Sequence, residues 1–430
     1  MAGRRRKKKT RRIFWLTLVL TVSLGTAVMF GAWAFMETDG AHLASLDIKE
    51  TQPVQNSFAE SGSKNTDGSV PQSGADDLQR DEKEPDFKEE QVQPLLENEN
   101  SEKTEGAENA AEKEVSVVFA GDILFDHNYA VMASTLQRGN GIEGSVSRDL
   151  LDVMRDADIC MINNEFPYTD RGEPTPDKIF TFRAKPQYAS WLLDMGVDIV
   201  SLANNHVYDY GEISLLDTLD TLNEIGMPYA GAGRNLEEAM RPVHFEVDGI
   251  DIAFICATQI ERLDNPNTKG ATENSAGVFR CLNVEKLLQA VRSAKQESDF
   301  VVVFIHWGTE STDELDWAQK DQAPKIAEAG ADLIIGAHPH VLQPIGYAGE
   351  VPVVYSLGNF LFNSRMMDSC LVRAVFDENG VKSLQFIPAK QENCSVSMQY
   401  GAEKERILSY MRNISPDVNI DSEGYIIKAQ

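Results

Sequence analysis

The sequence predicts an α/β domain held behind one membrane-spanning helix. Three observations carry that expectation. Short apolar, β-branched runs end one after another in polar motifs and alternate with helical stretches, which is α/β order. An uncharged apolar run near the N-terminus is long enough to cross a bilayer. Between the two lies an acidic segment whose only aromatic residues are Phe58 and Phe87.

Charge is unevenly placed along the 430 residues, whose formal net charge is −27. Residues 1–36 carry eight bases and no acid, and residues 37–114 carry 21 acids and seven bases (−14), leaving −21 for residues 115–430. An acidic remainder argues against a nucleic-acid partner, which needs a basic face. Five cysteines are too few for a disulfide scaffold, and their odd number leaves at least one free or paired between chains. Cys160 and Cys256 fall inside predicted strands as buried thiols, and Cys281, Cys370 and Cys394 show no metal-ligand spacing.

A basic tail from Arg4 to Arg12 precedes the apolar run Ile13–Phe35. As a helix rising about 1.5 Å per residue, that run spans the roughly 30 Å hydrocarbon core. Trp15 and Trp33 suit the two interfaces, and the flanking positive charge keeps the N-terminus cytoplasmic. A cleavable signal peptide is the alternative, but its apolar region is usually only about 7–15 residues. The reading is a cytoplasmic tail (1–12), an anchor (13–36), a disordered acidic linker (37–114), a folded extracytoplasmic domain (115–395) and a C-terminal extension packed on it (396–430). The linker holds too little apolar surface to offset its ordering entropy.

Within the folded part, Val115–Ala120 reads as a strand stopping at Gly121-Asp122, and Arg148–Asp156 as a helix. Ile159–Ile162 runs into Asn163-Asn164-Glu165, Tyr188–Met195 looks helical, and Asp198–Ala203 ends at Asn204-Asn205-His206. Glu212–Ile225 is an amphipathic helix closed by Gly226. Val243–Val247 and Ile250–Ala257, joined through Asp248-Gly249, predict a hairpin. Val284–Ala294 is helical with Asn283 as N-cap, and Phe300–Ile305 ends at His306-Trp307-Gly308. A helix near Asp316–Ala329 leads to Asp332–Ile335, which ends at Gly336-Ala337-His338-Pro339-His340. Pro352–Ser356 and Cys370–Phe376 add later strands with an antiparallel admixture.

The polar motifs share one position. Asp122, Glu165, Asn205, His306, His338 and His340 all lie at or just past the carboxyl end of a predicted strand. In open α/β sheets those ends line one edge, where ligands bind. Carboxylate, amide oxygen and imidazole together make a metal-ligand set that suits Mn²⁺, Zn²⁺ or Fe better than Ca²⁺ or Mg²⁺. Each motif alone has a plainer reading: a turn at Gly121-Asp122 or Asn204-Asn205, a core histidine at His306. The two histidines of His338-Pro339-His340 would point the same way from an extended segment. Of the other histidines, His42 lies in the linker, His244 in a hairpin strand, and His127 reaches at most the rim. Tyr208, Trp307 and Glu310 are candidate walls of a substrate pocket, with packing as the alternative, and Asn359 a support behind the ligands.

GDILFDHN, NNEFPYT, LANNHVYDYG, HWGTE, GAHPHVLQP and YSLGNF, in this order, resemble the CapA family of poly-γ-glutamate capsule synthesis proteins. That family is in turn similar to calcineurin-like metallophosphoesterases, and the resemblance runs from about Val115 to Phe386. It implies a two-sheet sandwich flanked by helices, with one or two divalent ions, Mn²⁺ or Zn²⁺, at one edge. It further implies that Asn205 is a metal ligand, that His206 is the catalytic proton donor, and that His338 and His340 serve one metal each. His306 would complete the second site, Asp122 would stand in the first block, and Glu165 would bridge. Two departures stand out. Leu124 occupies the histidine position of the first block, and Glu165 replaces the usual aspartate, with Asn164 as an alternative bridge and Asp126 available to compensate.

Three functions follow as expectations. One is a membrane-anchored accessory or enzyme of poly-γ-glutamate synthesis or export, partnered by membrane, polymer and capsule synthase. The second is a cell-surface metallophosphoesterase, a hydrolase of nucleotides or wall phosphates. The third is a binding module without chemistry. An acidic polymer and an acidic domain repel each other, so the first needs metal ions or local basic patches.

Overall fold

The computed structural model describes residues 113–260 and 269–430. The basic tail, the Ile13–Phe35 anchor and nearly all of the acidic linker lie outside the described residues. Among the described residues, no helix is long and apolar enough to cross a membrane.

The chain begins with β1 (Val115–Ile123), α1 (Ala130–Arg138), α2 (Arg148–Asp156), β2 (Ile159–Asn164), α3 (Ser190–Met195), β3 (Ile199–Ser201), α4 (Glu212–Glu224) and β4 (Tyr229–Ala230). It continues through β5 (Ala232–Gly233), α5 (Leu236–Met240), β6 (Val243–Val247), β7 (Ile250–Thr258), β8 (Gly277–Val278), α6 (Glu285–Ala294), β9 (Phe300–His306), α7 (Trp317–Glu328) and β10 (Leu333–Ala337). The last fifth holds β11 (Ile345–Ala348), β12 (Val351–Val354), β13 (Asn359–Leu361), β14 (Met367–Asp377), β15 (Gly380–Glu392), β16 (Ser395–Met398), α8 (Gly401–Ile414), β17 (Val418–Ile420) and β18 (Tyr425–Lys428).

Two main sheets result. The larger runs β17-β18-β15-β14-β1-β2-β3-β4, with β13 beside β1 and β16 beside β15; the smaller runs β11-β12-β10-β9-β7-β6. Parallel pairing joins β1 to β2, β2 to β3, β7 to β9 and β9 to β10, so the carboxyl ends of these strands align. Strand periodicity then sorts the side chains. Val115, Val117 and Phe119 of β1 join Phe300, Val302 and Phe304 of β9 in one core between the sheets. Val118 and Ala120 share a second core with Leu150 and Met154 of α2 and Leu215 and Leu219 of α4. Val301, Val303 and Ile305 share a third with Leu287 of α6 and Ile326 of α7. Central strands buried on both faces explain why VSVVFA and FVVVFI read as continuous apolar runs. The fold is mixed α/β, two sheets with helices outside them.

Local signals place several elements where the sequence puts them. Helix α2 spans Arg148–Asp156, the range expected. Asp248 and Gly249 both have positive φ (52° and 79°), the turn whose twist matches the β6–β7 hairpin. Asp316 caps α7 through a reciprocal capping box with Gln319. Asn283 accepts the Glu285 N–H at 3.2 Å, but it is not the N-cap expected: α6 starts one residue further on, and Val284 takes the cap position without a side-chain cap. Residues 396–430 carry α8, whose Ile407, Leu408 and Met411 enter the core between the sheets, and β18, which pairs with β15. All five cysteines are buried, and none forms a disulfide among the described residues.

Gly121 sits one residue before Asp122, where β1 passes close to the turn before β13. A Cβ there would lie 1.9 Å from the Gly358 carbonyl oxygen, which accepts the Asp122 N–H at 3.1 Å. Gly121→Ala should therefore destabilise the domain by about 1–3 kcal/mol or more, the cost of overpacking against backbone. Denaturant unfolding checks this. A loss under roughly 0.5 kcal/mol, the size of an ordinary surface change, would contradict the close approach.

Candidate metal centre

The parallel strands of both sheets deliver their polar termini to one edge. Register sets Asp122 of β1 beside Asn163 of β2 and Asn359 of β13, and His306 of β9 beside Ala337 of β10. The turn after β3 adds Asn204, Asn205 and His206, and the turn after β10 adds His338 and His340. These two histidines do not lie on an extended segment. Both have positive φ (101° and 60°), so a tight turn brings them together. Left-handed backbone at such residues costs on the order of 1–3 kcal/mol each and is held only by its surroundings. Here the Pro339 carbonyl accepts the Ser311 N–H at 2.9 Å, tying the turn to the loop after β9.

The structure brings all six candidate ligands together. Oxygen or nitrogen atoms of Asp122, Glu165 and His306 lie within 4.8 Å of one another, as do those of Glu165, His338 and His340. Glu165 belongs to both groups. Asn205 Oδ1 is 2.8 Å from His306 Nε2, which adds the amide to the first group. His340 Nδ1 donates to Asn359 Oδ1 at 2.9 Å, and the ring's other nitrogen lies 3.9 Å from Glu165. A fixed tautomer of this kind is what an outer partner supplies to a metal-binding histidine. Asn359 thus stands where the sequence expects it.

Two carboxylates are fully buried here, and the arrangement leaves them short of partners. Asp122 Oδ1 accepts from Asn163 Nδ2 at 2.7 Å, and Glu165 Oε2 from the same nitrogen at 3.3 Å. The other oxygens, Asp122 Oδ2 and Glu165 Oε1, are buried without a hydrogen-bond donor. His340 Nδ1 donates to Asn359 and also comes within 3.2 Å of Asp122 Oδ2; burial lowers the pKa of this imidazole, and the Asp122 carboxylate outweighs that and raises it. Buried acceptors without donors are costly, and two anions side by side more so. Burial, then the charges of Asp122 and Glu310, push the Glu165 carboxyl well above its usual range. Burial and the neighbouring rings of His338, His340 and His206 hold His306 well below its own. A divalent cation answers both strains, since it needs ionised carboxylate and neutral imidazole as ligands. The residues therefore fit a metal ion, and the mixed donor set does not single out which.

His206 lies beside this group. Its Nδ1 is 2.7 Å from Asp209 Oδ2, and its ring packs on Phe182 with centroids 4.1 Å apart. Burial lowers its pKa, with Asp209 opposing. Phe182 meets Phe362 edge-on at 5.6 Å, and Phe362 lies 4.7 Å from the His340 ring. These two phenylalanines, not singled out in the sequence, flank the histidines.

The candidate pocket walls fare differently. Glu310 Oε1 approaches His338 Nε2 at 4.0 Å and remains exposed, so it stands at the rim. Trp307 is not brought to the site. It is fully buried in the core under α6 and α7, where its Nε1 donates to the Tyr355 carbonyl at 2.9 Å. It follows His306 directly, and successive strand residues face opposite ways. Tyr208 packs against the core that α4 covers, with its hydroxyl 3.5 Å from Glu212.

Asp126 does not compensate for Leu124. Its Oδ1 accepts the N–H and side-chain amide of Asn128 at 2.9 and 3.0 Å, and its Oδ2 accepts the Arg183 N–H at 2.8 Å. Asn164 turns its amide to the Phe166 carbonyl at 2.7 Å. His127 approaches Asp126 at 3.9 Å, and His244 pairs with Asp251 at 3.0 Å in the β6–β7 hairpin. Sequence reasoning missed Lys178, whose buried ammonium bonds both the Asp209 carboxylate and the Asn205 carbonyl.

The raised Glu165 pKa fixes a sign. A carboxyl whose folded pKa exceeds its unfolded value favours the fold at low pH and loses that contribution as pH rises. A bound cation removes the loss, and it binds better as protons leave Glu165 and the imidazoles. The melting temperature of metal-loaded protein should exceed that of chelated protein by a margin that widens from about pH 5 to about pH 8. Paired thermal scans measure it. A constant or narrowing margin would contradict the site.

Comparison with known proteins places the chain in a family. Residues 116–364 match the family described as bacterial capsule synthesis protein PGA_cap. The PGA biosynthesis protein CapA of Bacillus subtilis is 31% identical over 281 residues, covering 64% of this chain and 71% of that protein. The capsule biosynthesis protein CapA of Bacillus anthracis is 30% identical over 275 residues, covering 61% and 65%. A probable polyglutamine synthesis accessory protein of Mycobacterium tuberculosis is 26% identical over 214 residues, covering 47% and 55%. The matched span runs from β1 past β13 and so takes in every strand end that supplies the centre, and the chain belongs to the PGA_cap family of bacterial capsule synthesis proteins.

Proposed function

We propose that this protein is a membrane-anchored, extracytoplasmic accessory of poly-γ-glutamate capsule synthesis or export, with a metal-dependent, metallophosphoesterase-like site. Family membership supports the capsule role. One observation carries the metal reading: two buried carboxylate oxygens without donors, set among three imidazoles at a shared sheet edge. The basic tail and the Ile13–Phe35 run support the anchor. The partners this reading implies are the polymer and a membrane-bound capsule synthase.

Asp122, Glu165, Asn205, His306, His338 and His340 would hold one or two divalent ions; Mn²⁺ and Zn²⁺ are both compatible with mixed oxygen and nitrogen donors, which do not choose between them. A divalent cation held there would supply Lewis-acid polarisation of a phosphoryl or carbonyl oxygen and would make water a stronger nucleophile near neutral pH. His206 moves the proton. Its Nδ1 is committed to Asp209, which fixes the tautomer and leaves Nε2 to exchange a proton with a leaving oxygen. Asp209 stabilises the imidazolium formed on the way. Phe182 and Phe362 exclude water from the flank of the histidines, and Glu310 borders the entrance.

Full-length variants test the assignment by elemental analysis and by restoring surface polymer to a strain lacking the gene. His340→Ala and Asn205→Ala should each lose bound metal and fail to restore polymer, while His244→Ala keeps both. His206→Ala should keep the metal and lose function. If His340→Ala binds Mn²⁺ or Zn²⁺ as tightly as wild type, the ligand set is wrong. Phosphoester turnover without any effect on polymer would instead favour a surface phosphoesterase.

External protease on intact cells tests the topology. It should remove the chain beyond about Glu37 and spare the N-terminus. A protected C-terminal domain would sink the extracytoplasmic assignment.

A further inference from the structure

The stretch from Gly172 to Phe182 crosses directly over the turn that carries Asn205, His206 and Asp209. Thr175 donates to the Asp209 carbonyl through its N–H at 2.7 Å and its hydroxyl at 2.9 Å. The Phe182 N–H reaches Asp209 Oδ2 at 2.7 Å. Gly172 is so close to the turn that a Cβ would lie 2.1 Å from the Tyr210 carbonyl oxygen.

Lys178 stands at the centre of this crossing. Its side chain is 5% exposed and that of Asp209 0%, so their ion pair is not a solvated surface contact. An ammonium so buried is tolerated only where its hydrogen bonds are well placed. One goes to the Asp209 carboxylate and another to the backbone carbonyl of Asn205. A single charged group therefore ties both ends of the Asn205–Asp209 turn. From the other side, Asn204 Oδ1 accepts the N–H groups of His206 and Val207, each at 3.0 Å. Asn204 Nδ2 in turn donates to the Asn164 carbonyl at 2.9 Å, and so joins the turn to β2. Between these two clamps, Asn205 Oδ1 is aimed at His306, and the His206 ring is held against Asp209 and Phe182.

We infer that Lys178 is a positioning residue, which locks the Asn205–Asp209 turn from above and so sets Asn205 and His206 at the metal centre. The inference rests on the reading that this centre binds a divalent cation. Lys178 itself is no ligand: an ammonium offers only donors. Its part is to hold a ligand and a proton carrier in place, as outer partners do at metal sites.

Three full-length variants test it: Lys178→Met, Lys178→Arg and Asp209→Asn. The readouts are Mn²⁺ affinity and amide hydrogen exchange resolved by segment. Lys178→Met should exchange faster across residues 172–182 and 204–211, with the β6–β7 hairpin unchanged. Its Mn²⁺ affinity should fall about 10–100-fold, the range for outer partners of a metal ligand. Lys178→Arg, which keeps charge and donors, should recover most of both. Should Lys178→Met fail to fold, Asp209→Asn removes the partner charge at constant shape and should free the same two segments.

A folded Lys178→Met with wild-type exchange and affinity would overturn the inference. Faster exchange throughout the domain at unchanged Mn²⁺ affinity would also overturn it, since the pair would then serve the fold alone. If wild-type protein binds no Mn²⁺, the metal reading falls, and segment-resolved exchange still decides whether Lys178 holds the turn.

Discussion

Two buried carboxylates at the ends of neighbouring strands impose the constraint around which this edge is built. Asp122 and Glu165 are withdrawn from water and share the amide of Asn163. Like charges so placed repel strongly when screening water is absent. The surrounding groups answer that repulsion. Three imidazoles converge, Asn359 orients one of them, and the carboxylate oxygens without donors lie among the rings. Without a cation, the least costly remedy is a proton on Glu165, which is the direction its pKa takes.

The packing of the two main sheets makes such a concentration of polar groups possible. Their central strands are packed on both faces, so the strand termini have little freedom to spread apart. Rigidity also holds the two left-handed histidines in place, since the turn carrying them is bounded by β10 and by the loop after β9. A looser scaffold would relax the turn and lose the convergence. Gly121 shows the same demand in the backbone, where its approach to Gly358 leaves no room for a Cβ.

Further polar contacts stand behind the candidate ligands. Asn204 supports the His206 turn from the sheet side, and Lys178 and Asp209 hold it from the crossing segment. Asp126 joins the loop after β1 to Arg183 at the end of that segment. The centre is thus fed by strand ends, while its surroundings come from loops distant in sequence. Those loops also bring the aromatic flank, Phe182 from one and Phe362 from another.

Much of this was determined by the sequence alone. Alternating apolar runs specify the α/β order, and Arg148–Asp156 and the Asp248-Gly249 hairpin follow from local signals that tertiary packing had no reason to override. The clustering of the six candidate ligands was legible because each lies at or past the end of a strand and strand ends gather at one edge. Helix α8 and strand β15 carry weaker signals, since α8 buries only Ile407, Leu408 and Met411, and β15 is half covered along much of its length. Trp307 belonged to the opposite face from His306 by strand alternation, a period that was readable yet outweighed by proximity in sequence. Lys178 and Phe182 were not readable at all. They sit in an aperiodic loop, and only the folded chain decides that this loop crosses the His206 turn and buries an ammonium there. Contacts between residues remote in sequence carry no local pattern, so tertiary structure alone assigns them.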